Sequence, residues 1–144
     1  MIIYLDNCCF NRPFDDQKQL RIRIEAEAKL GIQEAIRSGD LELAWSYILD
    51  FENQNNPFMD RRERIQEWRR YAKVDCVENP TIKSVAESLK QKGLREIDSL
   101  HVACAIHTGC DYFITTDDKI LSKSAMIDGI AIDDPVGFIK KELT

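Results

Sequence analysis

The sequence predicts an α/β fold in which about five parallel strands form a sheet sandwiched by α-helices, and three observations carry that prediction. First, short apolar runs alternate with helical ones in the order βαβααβαβαβα, the pattern of right-handed parallel units. Second, the stretch Leu94 to Asp118, LREIDSLHVACAIHTGCDYFITTDD, places a helix that is apolar on most faces directly before a bare aromatic and β-branched run. Such a helix is a buried one, and such a strand is covered on both sides. Third, acids stand where strands end, the edge at which open α/β sheets bind ligands.

Taken in order, Met1 to Leu5 is an apolar strand ending at Asp6, and Asn7 to Asp16 reads as a loop with Asp15 or Asp16 as the cap of the next helix. From Gln17 to Ser38 a stripe of Leu20, Ile24, Ala28, Ile32 and Ala35/Ile36 predicts a helix closed by Gly39. Leu41 to Trp45 is the second strand, and Ser46 opens a helix carrying Asp50 and Glu52 that fails before Pro57. Asp60 to Tyr71 is a charged helix with Ile65, Trp68 and Tyr71/Ala72 on one side. Val74 to Val77 is a third strand, and Thr81 caps a helix that ends at Gly93. The buried helix Ile97 to His107 stops at Gly109, and Asp111 to Thr115 is the fourth strand. A short helix near Lys119 to Ser124, a strand at Gly129 to Ile132 and a helix from Pro135 to Leu143 complete the chain.

At 144 residues, 44% hydrophobic and 31% charged, the chain has the length and composition of one globular domain, expected over residues 1–144. Its net charge of -5 provides no global positive field for nucleic acid. No apolar run approaches the roughly 20 residues of a membrane span. Five cysteines without C-x-x-C spacing fit neither a disulfide framework nor a zinc ribbon, so a reducing, cytoplasmic setting is expected.

Four acids organise the functional reading. Asp6 ends the first strand, Asp117 follows the fourth, Glu52 lies about two turns into the helix after the second, and Asp98 sits in the first turn of the buried helix. Singly, each has an ordinary role: Asp98 answers the helix dipole, Asp117 or Asp118 caps the next helix, and Glu52 is a solvated face. Asp6 resists that explanation, since the following helix is expected about ten residues on. Together the four converge on one sheet edge, where two unit charges 4 Å apart cost ~4 kcal/mol at an effective dielectric of 20. Such a cluster persists if some members protonate or if a divalent cation neutralises them, and oxygen-only ligands favour Mg²⁺ or Mn²⁺ over zinc. The chemistry that suits the site is metal-assisted attack of water on a phosphodiester.

At these residues the chain resembles the PIN-domain ribonucleases, including the VapC-like toxins of toxin–antitoxin pairs. The resemblance runs through IIYLDNCCF, S-x(5)-E from Ser46 to Glu52, LREIDSLHVACA, CDYFITTDDKIL and IDDP. It implies a single-domain PIN-like fold and a Mg²⁺- or Mn²⁺-dependent endoribonuclease acting on RNA, with Asp6, Glu52, Asp98 and Asp117 as metal ligands and a supporting hydroxyl at Thr115 or Thr116. Asp118 stands as a partner of Asp117 or a substitute for it. The family commonly has Thr or Ser after the first acid and then Asn; here Asn7 and Cys8 take those places. A homodimer or a small antitoxin partner is expected through the helix before Gly39 and the helix from Asp60 to Tyr71.

Other candidates have two readings each. Arg61, Arg62 and Arg69, interleaved with Trp68 and Tyr71, suit RNA phosphates and bases, while Glu63 and Glu67 offer the same arginines salt-bridge partners. D-x-x-H from Asp98 to His101 has the spacing of a metal pair; in oxygen-rich surroundings a hydrogen-bonded His101 is the expectation. A haloacid-dehalogenase-like phosphatase would need a second Asp at Cys8. The alternative from another class is a catalytically weak PIN-like module that binds RNA or protein.

Overall fold

The computed structural model describes residues 1–144. Five parallel strands, β1 (Ile2–Leu5), β2 (Glu42–Ser46), β3 (Ala72–Cys76), β4 (Tyr112–Ile114) and β5 (Ala131–Asp133), form one sheet in the order β3-β2-β1-β4-β5. The chain steps outward from β1 to β3, then returns to place β4 on the other flank of β1. Ile3 stands beside Leu43 on one side and Tyr112 on the other. The reversal leaves a crevice at the carboxyl ends of β1 and β4, the place where this architecture binds ligands. Consecutive residues Ile3, Tyr4 and Leu5, like Leu43, Ala44 and Trp45, are fully buried, so helices cover both faces of the sheet.

The helices are α1 (Asn7–Asn11), α2 (Leu20–Ser38), α3 (Tyr47–Gln54), α4 (Met59–Gln66), α5 (Pro80–Gln91), α6 (Glu96–His107), α7 (Asp118–Leu121) and α8 (Pro135–Phe138). Ser46 caps α3 as its sequence suggests, its hydroxyl accepting from the Leu49 amide at 3.1 Å. Helix α6 ends through Gly109, whose φ of 74° places it in the left-handed region that glycine adopts freely.

Several expectations are corrected. Asn7 to Asp16 is not a plain loop: Asp6 caps α1, its carboxylate accepting from the Asn7 amide at 2.8 Å, and a 3₁₀ turn (Arg12–Phe14) follows. Asp15 and Asp16 do not cap α2, because Asp15 is held by Arg12 and Arg61, and the Asp16 side chain accepts from the Lys18 amide. The start of the α2 stripe lies outside the core, with Leu20 60% and Ile24 47% exposed, while Glu25 turns inward to Arg12 and Arg21. Helix α5 is capped by Asn79 rather than Thr81: Pro80 takes the first helical position, and the Asn79 side chain accepts from the Ile82 amide at 3.1 Å. The charged helix expected from Asp60 to Tyr71 also tightens into a 3₁₀ helix after Gln66, keeping Ile65 and Trp68 buried.

Lys29 of α2 is buried with its Nζ 5.1 Å from the centre of the Phe10 ring and 5.4 Å from that of Trp68. With its amide oxygen turned inward, Gln33 accepts from Lys29 and from Trp68 Nε1. Burial pulls the ammonium down to about 7. Below pH 7 the cost of burying that charge is fully present. Between pH 7 and the unfolded value near 10.4 the unfolded chain binds more protons, so this cost is relieved as pH rises. The melting-temperature difference between Lys29→Met and the wild type should therefore move in favour of the wild type from pH 7 to 10. A difference independent of pH would show that Lys29 is not the titrating group.

Candidate metal centre

Asp6 follows β1 directly, its amide bonded to the Ile114 carbonyl of β4 at 2.9 Å, so its position is set by the strand pairing. Its carboxylate accepts from the buried hydroxyl of Thr115 at 2.8 Å, and Cys8 Sγ lies 3.5 Å away. Thr115 in turn accepts from the Asp117 amide at 3.0 Å, so one hydroxyl links the acids at the ends of β1 and β4. Of the two threonines, Thr115 bonds to an acid; Thr116 offers its carbonyl to Arg21 and its amide to Cys8 Sγ.

Glu52 comes from α3 and meets Nε2 of His101, which is fully buried on α6. The same nitrogen lies 3.9 Å from Asp6. Nδ1 of His101 is 2.6 Å from the Tyr4 hydroxyl, which is 2.6 Å from the Ser46 hydroxyl. A chain in which Ser46 donates to Tyr4, Tyr4 to Nδ1, and Nε2–H to Glu52 satisfies every member with a neutral ring. One ligand atom from each of Asp6, Glu52 and His101 lies within 4.8 Å of the others.

Asp98 and Asp117 share Arg95: its Nε is 3.1 Å from Asp98 and its Nη2 3.3 Å from Asp117. Burial first, then the charges of Asp6 and Asp117, push the Asp98 carboxyl upward against the pull of Arg95. Asp117 also caps α7 through the Lys119 amide at 2.9 Å. The sequence-predicted acids therefore fall into two groups, Asp6 and Glu52 joined through His101, Asp98 and Asp117 through Arg95.

Other residues go elsewhere. The Asp118 side chain makes a bidentate pair with Arg21 at 2.8 Å, and its carboxylate has no hydrogen bond to any of the four acids. Arg61 is occupied by Asp15 and the Phe14 carbonyl, and Arg69 by Asp75 and Asp50. Arg62 makes no ion pair, its carbonyl accepting from Asn53. Sequence reasoning weighed His101 without seeing that it reaches Glu52, and it missed Arg95, whose signal was a lone cation three residues before Asp98.

The PIN domain family model matches residues 3–125, and the chain belongs to that family. Among solved structures it is similar to VapBC2 from Rickettsia felis bound to a DNA fragment from their promoter, at 12% identity and a TM-score of 0.58 over 93% of this chain and 98% of that one. It is similar as well to VapBC-1 from nontypeable Haemophilus influenzae, at 18% identity and a TM-score of 0.57 over 94% and 99%. No curated protein matches the sequence. No helix is long and apolar enough to cross a membrane.

Two substitutions separate the supports. His101→Leu should weaken Mn²⁺ binding about 10–100-fold, the usual cost of losing a group that orients a ligand, and His101→Gln should retain much of it. Arg95→Gln should strengthen Mn²⁺ binding by removing a competing cation. Calorimetric titration reads both; an Arg95→Gln protein that binds Mn²⁺ more weakly would show that Arg95 aids the ion instead of competing with it.

Proposed function

We propose that the chain is a Mg²⁺- or Mn²⁺-dependent endoribonuclease whose metal is held by Asp6, Glu52, Asp98 and Asp117. The observation that carries this reading is that those acids stand on four separate elements about the crevice where the strand order reverses, with the charges of Asp6 and Asp117 both acting on Asp98. The fit to a cation has independent support. Asp98 is raised by burial first and then by its acidic neighbours, their one guanidinium partner is 66% exposed, and the buried Oδ1 of Asn7, beside Asp6 in the chain, has no hydrogen-bond partner. PIN domains of the VapC type are generally nucleases, which agrees with the chemistry of an acidic divalent-metal site.

A bound cation supplies charge for the phosphate and lowers the pKa of water. The residues of this chain prepare for that. Thr115 holds one oxygen of Asp6 and fixes the Asp117 backbone, and His101 holds Glu52. Arg95 offsets the repulsion between Asp98 and Asp117 before a cation does so. The VapBC neighbours are toxin–antitoxin assemblies, and we extend that reading to a small antitoxin partner and a homodimer for this chain, held as one domain in the cytoplasm.

Asp6→Asn and Asp98→Asn should each abolish Mn²⁺-dependent cleavage of a mixed single-stranded RNA and lose most of the Mn²⁺-induced rise in melting temperature, while circular dichroism stays native. Wild-type cleavage in both variants would remove the metal assignment. A folded wild type that neither binds Mn²⁺ nor cleaves would favour the binding-module alternative. Light scattering at tens of micromolar tests the dimer.

A further inference from the structure

Beside the metal centre runs an open groove of about 440 Å³ whose wall includes Asn7, Phe51, Glu52, Asn55, Phe58 and Ile97. Glu52 belongs to both, so a phosphodiester at the acids has its neighbouring nucleotide over this groove. Phe51 is 52% and Phe58 57% exposed, whereas Phe10, Phe113 and Phe138 are fully buried. Phe58 is held from one side by the Arg61 guanidinium, 4.6 Å from the ring centre, and Arg61 is itself tied to Asp15 and the Phe14 carbonyl. The ring is thus a braced surface, and the charge beneath it is neutralised inside the molecule.

The kind of occupant is set by charge. With a net charge of -5, and with Arg61 and Arg69 paired internally, the molecule offers a polyanion little long-range attraction. A strand reaching the acids is then helped by contacts that do not depend on phosphate charge. Aromatic faces provide them, because every base has a π-face and an unpaired base can leave its stack. Asn7 lines the same groove and carries an Oδ1 with no hydrogen-bond partner. We propose that this groove seats one unpaired base of single-stranded RNA, stacked on Phe58 and Phe51, next to the phosphate to be cut; the proposal rests on the metal-nuclease reading above.

The test is equilibrium binding of a fluorescent single-stranded RNA to the Asp98→Asn protein, which does not consume it. Phe51→Ala and Phe58→Ala should each weaken binding about tenfold. Their salt dependence should stay shallow and unchanged. In the background with Asp98 intact, the same substitutions should leave the Mn²⁺-induced rise in melting temperature at its wild-type value, which also confirms folding. An abasic site walked along the RNA should reproduce the loss at one position, where Phe58→Ala adds nothing further. Wild-type RNA affinity in both variants overturns the proposal, as does equal affinity for duplex RNA of the same sequence; the first result would leave the groove to a protein segment. Absence of Mn²⁺ stabilisation in the wild type overturns the metal-nuclease reading itself, and this inference with it.

Discussion

Asp98 is buried beside Asp6 and Asp117, and its carboxyl is pushed upward by the burial and by both neighbouring charges. The surrounding structure answers that crowding piece by piece. Thr115 donates to Asp6, Arg95 spans Asp98 and Asp117, and His101 takes Glu52. Each answering group comes from a different position in the chain, and the Thr115 contact depends on the parallel pairing of β1 with β4. That pairing bonds the Asp6 amide to Ile114 and so sets the first acid beside the last.

The central strands β1, β2 and β4 and the buried helix were legible in the sequence because burial on both faces leaves an apolar signature that survives without context. Ser46 was legible as a cap because its role is local. The features that escaped have a common origin in being small or distant. Helix α1 is five residues long, too short to show a period, so the capping role of Asp6 was hidden. Asn79 outcompeted Thr81 because Pro80 prefers the first helical position, a preference that overrides the later hydroxyl. Leu20 and Ile24 continue an apolar stripe beyond the point where α2 has anything to cover.

Asp6 and Asp117 could be placed from the sequence because each follows a strand, and strand ends locate residues without coordinates. The grouping of the four acids was not readable. His101 meets Glu52 across 49 positions of sequence, and Arg95 reaches Asp117 across 22. The arginine-rich segment shows the opposite failure: a pattern that suits RNA in one dimension is taken up by Asp15, Asp50 and Asp75 in three.

Ser46 both caps α3 and ends the chain of hydrogen bonds that reaches Glu52. From Ser46 the path runs through Tyr4 and His101 to Glu52, then back along two turns of α3 to Ser46. The path closes on itself. A closed circuit of this kind cannot let α3 slide or pivot without opening a buried joint, so Glu52 is registered to the sheet and to α6 rather than to its own helix. On the opposite side, Arg95 reaches in from solvent to Asp98 and Asp117, and Asp117 is tied to the Lys119 amide and, through its own amide, to Thr115. Glu52 is thus held by a ring of bonds across three elements, whereas Asp98 and Asp117 are held by the local geometry of the helices they begin.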